Sequence, residues 1–447
     1  MLTKKLLFEK KHIRFVGVGG VSMSALAMYL AQKGIKVSGS DKACGEFVRL
    51  VQNKGIFVDL TQSGKGAEDC DLAVINFAVH EDNEEYLFLK SRNVPFVWRN
   101  EVLGALFNDF KQSVSVSGSH GKTTVSAWLS WCLKKAGKDP TCFVGGLLNN
   151  PRTNLLVGKS DVCVAEACEY KKSFLTLHPF VNCVLNVDSD HPDCYKNFDE
   201  ISSAFKEFLG HTKKGGVNIL FGDDPVLKNI EGIKFGFETS NDFYPQNIVD
   251  KKGFFKFDAV KRGKKLLRLS LPLAGRHNIA NALCVLAAGE FLGLDLESLK
   301  EGIESFEGVN RRCSVTKGDF DVIVDYAHHP REIACFLSTV KEMGYNNLIL
   351  VFQPHTYTRT KLLFDDFVNV LDGDEIHIIP TFAAREEVLK GYESSDLAVA
   401  VKEKGKNVFY DENLAKLCYR LKKKCKKNDA VLLVGAGDVE NLKQYLV

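Results

Sequence analysis

From residue 13 onward, short apolar runs alternate with longer segments whose apolar positions recur every third or fourth residue. Ile13–Val16 reads as a strand. A turn follows at Gly17-Val18-Gly19-Gly20, then an apolar-striped helix over Ser22–Lys33 closed by Gly34, then a second strand over Ile35–Gly39. The same alternation predicts strands at Leu72–Asn76 and Pro95–Trp98. At Ser113–Ser117 small and β-branched residues alternate, Gly118–Gly121 turns, and Thr123 opens a helix with Val125, Leu129, Cys132 and Leu133 on one stripe. Asp161–Ala165 and Val181–Val187 are further buried strands, with a helix around Phe198–Leu209. Between Gly215 and Lys265 the pattern changes to short strands broken at Gly222–Pro225 and Lys251–Gly253, a β-rich edge. A helix over Ile279–Leu292 follows, capped near Asn278. Alternation then restarts with strands at Val322–Asp325, Asn347–Phe352, Glu375–Pro380 and Ala430–Val434, and a helix from Arg331. Strands alternating with helices predict an α/β fold with mostly parallel sheets. Breaks near Asp109–Gln112 and Phe306–Arg312 divide the chain into three domains, 1–110, 111–308 and 309–447.

Composition narrows the class without changing this picture. The 447 residues are 45% hydrophobic and 26% charged, as in a soluble globular protein. The formal charge of +3, from 59 basic and 56 acidic residues, supports neither nucleic-acid nor membrane binding. Thirteen cysteines without CxxC pairs or Cys/His clusters read as reduced thiols, not a disulfide framework or a zinc site. No stretch has the length of a membrane span or a signal-peptide core, so a cytoplasmic protein is expected.

Chemistry concentrates at the predicted strand ends. Strand, glycine turn, Lys-Thr and helix over Gly118-Ser119-His120-Gly121-Lys122-Thr123-Thr124 form a recipe for holding phosphate. Glycines let N–H groups face an anion at a helix N-terminus, Lys122 supplies a point charge, and the Thr123 hydroxyl can ligate Mg²⁺. The usual first glycine of a P-loop is absent, since Val116 stands there. Gly17, Gly19 and Gly20 make a second phosphate-type turn, with Asp41 placed to accept ribose hydroxyls; Ser22 replaces the third fingerprint glycine, which disfavours NAD. Glu166 and His191 follow the two predicted strands Asp161–Ala165 and Val181–Val187, where they are expected to converge on Lys122 and Thr123. The carboxylate suits Mg²⁺, whereas His191 reads equally as a loop residue, a cap or a ligand. His277 and Asn278 either cap the following helix or present an amide to an adenine edge. Arg311-Arg312 is either a phosphate clamp or an exposed basic turn. The His, Tyr, Arg and Asp residues of Asp325–Pro330 and Gln353–Thr360 suggest a second crevice.

The phrases GVGGVSMSALA, GSHGKTT, EACEYKKSFL, DHPDCY, AGRHNIANAL, GVNRRC, DYAHHPREI, FQPHTYTRT and GAGD occur in order. Together they resemble the cytoplasmic Mur ligases, and most closely the branch that joins L-alanine to UDP-N-acetylmuramic acid. The resemblance implies an N-terminal Rossmann-like domain for the UDP-sugar, a central P-loop-type domain for ATP and a C-terminal Rossmann-like domain that brings the amino acid. It implies that ATP phosphorylates the lactyl carboxylate and that the amine of L-alanine displaces phosphate. It further implies Lys122 on the β- and γ-phosphates, Thr123, Glu166 and His191 on Mg²⁺, His277 and Asn278 on adenine, Arg312 on phosphate and Asp325 on the ATP ribose. Tyr326, His355 and Arg359 would line the alanine pocket, with His355 a candidate base by residue type, and Gly17, Gly19, Gly20 and Asp41 would cradle the uridine diphosphate. The expected partners are small molecules, and the expected state is a monomer or weak homodimer. Val324 stands where an Asp is common in the family, Lys171-Lys172 lies near a region that often carries acids or arginines, and spacing alone marks Lys206 as a candidate carbamylated lysine. Three other readings remain: a recycling ligase that attaches a preformed peptide to the same sugar, an NAD(P)-dependent oxidoreductase, and a non-catalytic nucleotide-binding regulator.

Overall fold

A computed structural model describes residues 2–189, 194–384 and 386–447. The first sheet is all parallel, in the order Phe57–Asp59, Lys36–Ser40, His12–Val16, Leu72–Ile75, Phe96–Trp98. His12–Val16 lies at its centre and all five residues are buried. Order reverses beside this strand, so the crevice at the carboxyl ends opens next to the glycine turn. The helix Val21–Gln32 buries every residue from Met23 to Leu30, because both of its sides are covered.

The central sheet has ten strands. Its middle runs Val217–Phe221, Val181–Val184, Gln112–Ser117, Val162–Glu166, Thr141–Phe143, all parallel. Leu155–Leu156 closes one edge antiparallel to Thr141–Phe143, and Ile233–Phe235, Phe243–Lys251, Phe254–Lys261 and Lys264–Ala274 extend the other. The strand predicted to reach Val187 stops at Val184. Leu185 still donates its N–H to the Ser117 carbonyl (3.0 Å), and from Asn186 onward polar groups turn to the phosphate loop.

The first two sheets belong to one compact unit (Met1–Gln246, Asp258–Leu269, Ala280–Glu307). One hydrophobic core runs through both, with Tyr29 of the first and Phe143 of the second 5.4 Å apart between ring centroids. Polar contacts reinforce the seam. Buried Asn154 donates to the Val21 carbonyl (2.6 Å) and the Ser24 hydroxyl (2.9 Å). The Lys213 ammonium donates to the carbonyls of Asn108 and Phe110, at 3.0 and 2.8 Å.

The second unit (Asn247–Phe257, Ser270–Ile279, Gly308–Val447) holds the third sheet. Its order is Ser314–Thr316, Asp321–Asp325, Ala430–Val434, Leu348–Phe352, Glu375–Ile378, Val408–Tyr410, parallel except for the first strand. The expected α/β architecture of three sheet-based domains is therefore present. No described helix is long and apolar enough to cross a membrane, and all thirteen cysteines are free. Lys206 is exposed on the helix Phe198–Leu209.

Close approach explains one glycine at the seam. A Cβ on Gly104, in the helix Arg99–Phe107, would lie 2.8 Å from the Thr176 carbonyl oxygen. Gly104→Val should therefore cost about 1–3 kcal/mol, measured by urea unfolding; an unchanged midpoint would show that the seam yields freely.

Candidate active site

The phosphate loop leaves the middle strand, Gln112–Ser117, and is built from both neighbouring strands. Gly118 (φ +134°) and Gly121 (φ +86°) adopt backbone conformations that side chains disfavour, and Gly121 caps the helix Lys122–Lys135. That helix begins one residue earlier than the apolar pattern indicated. On one side Asn186 clasps the loop: its amide oxygen accepts from the His120 N–H (2.8 Å) and its amide nitrogen donates to the His120 carbonyl (3.0 Å). Ser119 closes the same clasp, its hydroxyl donating to the Asp188 carbonyl (3.2 Å) while accepting the Asp188 N–H (2.9 Å).

The strand on the other side supplies the acids. Register pairs Val116 with Glu166, so this carboxylate emerges beside the loop. The Thr123 hydroxyl donates to Glu166 Oε2 at 2.8 Å. Lys122 Nζ donates to the carbonyls of Gly118 (2.6 Å) and Ser119 (3.1 Å) and to Glu169 Oε1 (2.9 Å). Burial alone would lower the lysine pKa, but the carboxylates of Glu169 and Glu166 outweigh it and hold the ammonium above its ordinary value. The side chains are 13% and 0% exposed, so Lys122 stays protonated in a largely desolvated pair. Glu169 was absent from the sequence-based assignment; its signal was the second acid of Glu166-Ala-Cys-Glu169. Tyr195 fixes that turn by donating its hydroxyl to the Glu169 carbonyl (2.5 Å). His191 lies outside the described residues.

Thr123 and Glu166 offer hard oxygen donors, a set that suits Mg²⁺ completed by phosphate and water. Among the described residues no cluster of three His, Cys, Asp or Glu forms a cage of its own.

In the first sheet, Gly17 (φ +80°) and Val18 both donate their N–H groups to the Ser40 carbonyl (2.9 and 2.8 Å). Asp41 Oδ2 accepts from the Gly19 N–H at 2.8 Å, and a Cβ on Gly19 would lie 2.7 Å from that oxygen. Asp41 therefore braces the glycine turn, a task the strand-end rule did not foresee. Gly20 is the N-cap of Val21–Gln32.

The second unit holds the remaining candidates: Asp325 at the end of one strand of its sheet and His355 after another, Arg311 and Arg312 before its first strand, and His277 and Asn278 at the start of the helix His277–Phe291. Arg311 is committed locally: it donates to the carbonyls of Gly435 (2.7 Å) and Gly437 (2.9 Å) and pairs with Glu440 (3.1 Å). Arg312 forms no ion pair among the described residues and lies 5.4 Å from the Tyr326 ring centre. Asp325 accepts the N–H groups of Ala327 and Cys313, both at 2.7 Å; burial raises its pKa to about 6 against the pull of Arg312. Asn278 turns its amide nitrogen onto the Ala274 carbonyl (2.6 Å), and His277 Nδ1 lies 3.2 Å from Cys335 Sγ. Arg359 Nη1 donates to His355 Nδ1 at 3.1 Å, so the remaining ring proton sits on Nε2. His355 stacks on Phe382, 5.7 Å between ring centres. Burial first, then Arg359, His328 and Arg311, lower its pKa to about 3. An imidazole so weakly basic, with its free lone pair already taken, is poorly suited to the base role suggested by residue type. Thr356 holds φ +64°, a strained value for a β-branched residue, while its hydroxyl caps the helix Tyr357–Leu362.

Three family profiles match in sequence: "Mur ligase family, catalytic domain" over residues 12–111, "Mur ligase middle domain" over 116–289 and "Mur ligase, glutamate ligase domain" over 311–437. The chain belongs to the Mur ligase family. Among similar Mur ligases, the UDP-N-acetylmuramate–L-alanine ligase of Agathobacter rectalis is 37% identical, covering 99% of each chain. That of Caldanaerobacter subterraneus subsp. tengcongensis is 38% identical, covering 96% of this chain and 95% of its own. The crystal structure of the Thermotoga maritima UDP-N-acetylmuramate–alanine ligase superposes with a TM-score of 0.85 at 29% identity, covering 98% of both chains. A murein peptide ligase from Psychrobacter arcticus shares the Mur ligase fold at a TM-score of 0.73 and 19% identity, covering 98% of both chains.

Two outcomes test this geometry. A Cβ on Gly145 would fall 1.8 Å from Glu166 Oε2, so Gly145→Ala should displace that carboxylate. Turnover should fall by roughly 10²-fold with little change in thermal midpoint. Since His355 has its pKa lowered to about 3 from 6.5, the folded state binds this proton less readily than the unfolded state. Acidification from about 6.5 toward 3 therefore costs stability, and the His355 ring resonances should stay flat in NMR titrations between roughly pH 5 and 8.

Proposed function

We propose that this chain joins L-alanine to the lactyl carboxylate of UDP-N-acetylmuramic acid at the expense of ATP, giving UDP-N-acetylmuramoyl-L-alanine, ADP and phosphate. The observation that carries this reading is the pairing of Lys122 with Glu169 and Thr123 with Glu166 at one phosphate loop, in a chain whose near full-length relatives are named for that ligation.

A carboxylate is a poor acyl donor until its oxygen is phosphorylated. The γ-phosphoryl group passes to a lactyl carboxylate oxygen and ADP leaves. The alanine ammonium gives one proton to solvent, its nitrogen bonds to the acyl carbon as the C–O bond to phosphate breaks, and the second proton passes to the departing phosphate or to water. No side chain forms a covalent bond, so the protein contributes positioning and charge. Lys122, kept protonated by Glu169, exchanges carbonyl partners for β- and γ-phosphate oxygens. N–H groups at the helix start face the same anion. Thr123 and Glu166 would hold Mg²⁺, with His191 a further ligand on family resemblance; the ion supplies charge neutralisation between crowded anions. Gly17, Gly19 and Gly20 face the uridine diphosphate, with Asp41 as their brace. In the second unit, Arg312 serves the ATP phosphates, Asp325 its ribose and His277 with Asn278 its base. Tyr326 lines the alanine pocket and Arg359 pairs with the alanine carboxylate. His355, neutral and bonded to Arg359, orients that guanidinium and does not act as the base.

The test is phosphate release with ATP, Mg²⁺ and UDP-N-acetylmuramic acid, supplying L-alanine, glycine, L-serine or a cell-wall tripeptide in turn. L-Alanine should give the highest kcat/KM. Preference for the tripeptide would assign the recycling reaction instead, and no release with any of them would reject the ligase reading. Arg359→Ala should raise the alanine KM by about 10- to 100-fold, the value of a charge-assisted pair, and leave the ATP KM within about twofold; an unchanged alanine KM removes Arg359 from that role.

A further inference from the structure

An aromatic and cationic cluster in the first unit has no part in the scheme above. Leu72–Ile75 and Phe96–Trp98 are neighbouring parallel strands with Ile75 paired to Trp98, so Asn76-Phe77 and Trp98-Arg99 leave the sheet together. The rings of Phe77 and Trp98 stack at 4.8 Å and 28°. Tyr170 meets Phe77 edge-on at 6.4 Å, and Lys171 Nζ stands 4.8 Å from the Phe77 ring centre. Trp98 remains 40% exposed, which is unusual for a stacked indole, and Lys171 forms no ion pair among the described residues. Lys171 and Lys172 hold φ of +48° and +54°, consecutive left-handed residues that are seldom tolerated without glycine.

Both ends of the cluster adjoin groups already described. A Cβ on Gly17 would touch Asn76 Nδ2 at 3.0 Å, and Arg99 Nη1 donates to Ser22 Oγ at 3.0 Å in the first turn after the glycine turn. At the other end Tyr170 follows Glu169, the partner of Lys122. The cluster thus connects the glycine turn to the phosphate loop within one compact unit.

The covalent order of the substrate then limits what can lie there. With the diphosphate at the glycine turn and the lactyl carboxylate by Thr123 and Glu166, the group between them is the sugar. A pyranose presents a face of C–H bonds, which an exposed aromatic surface covers well, and a carboxylate seeks a cation. We propose that Trp98, backed by Phe77, forms the platform for the muramoyl ring and that Lys171 attracts its lactyl carboxylate. The proposal rests on the UDP-sugar assignment to this unit.

Calorimetric titration of the full-length protein with UDP, UDP-N-acetylglucosamine and UDP-N-acetylmuramic acid tests it. Trp98→Ala should weaken both sugar nucleotides about tenfold while changing UDP less than about twofold, and Trp98→Phe should recover most of the loss. Lys171→Gln should weaken only the muramic compound, by about tenfold, because the glucosamine compound lacks the lactyl carboxylate. An equal loss for UDP and the sugar nucleotides in Trp98→Ala would make the surface a uracil or folding element and overturn the proposal. So would unchanged affinities, or a Lys171→Gln loss shared by both sugars. Absence of binding by the unmodified protein to all three compounds would remove the UDP-sugar assignment itself. Unmodified binding with indifferent variants would remove only this platform.

Discussion

The structure around the phosphate loop depends on one buried charge being held without neutralising it. Lys122 lies among two loop carbonyls and Glu169, almost out of water. Removing one partner of such a pair costs about 3–5 kcal/mol, because the other charge stays buried. Glu169 must therefore be in place for the lysine to be in place, and the Tyr195 hydroxyl bond to the Glu169 carbonyl holds the turn that carries it. Bound phosphate would offer the ammonium better acceptors than the loop carbonyls it now uses.

Strand order makes this possible. The loop springs from a strand flanked on one side by Val181–Val184 and on the other by Val162–Glu166. Residues after the first neighbour clasp the loop backbone through Asn186 and Asp188; residues ending the second bring the acids. A loop at a sheet edge would have only one such wall. Fusion of the first two sheets around a common core extends the same logic, since the glycine turn and the phosphate loop are held in one packed body.

In the second unit polar side chains act as positioners for other polar side chains. Arg311 ties the Gly435–Gly437 turn, while its neighbour Arg312 lies over the Tyr326 ring and forms no ion pair among the described residues. His355 accepts from Arg359 and fixes the plane of its guanidinium. The strained Thr356 lies between them in sequence, as expected where backbone geometry is set by a site and not by local preference.

The alternation of apolar runs was enough to reveal α/β architecture, most strand positions and both glycine turns, because these depend on local periodicity and on residues with special backbone freedom. Lys122, Thr123 and Glu166 were legible for the same reason, lying at predicted strand and helix ends. Tertiary structure decided what periodicity does not encode: which strands are neighbours, and therefore which side chains meet. That is why Glu169 rather than solvent faces Lys122, why Asp41 braces Gly19, why Arg311 is tied to the Gly435–Gly437 turn, and why His355 accepts from Arg359. Each of these depends on pairing between residues distant in sequence and on the burial that such pairing creates, and neither exists until the sheets assemble.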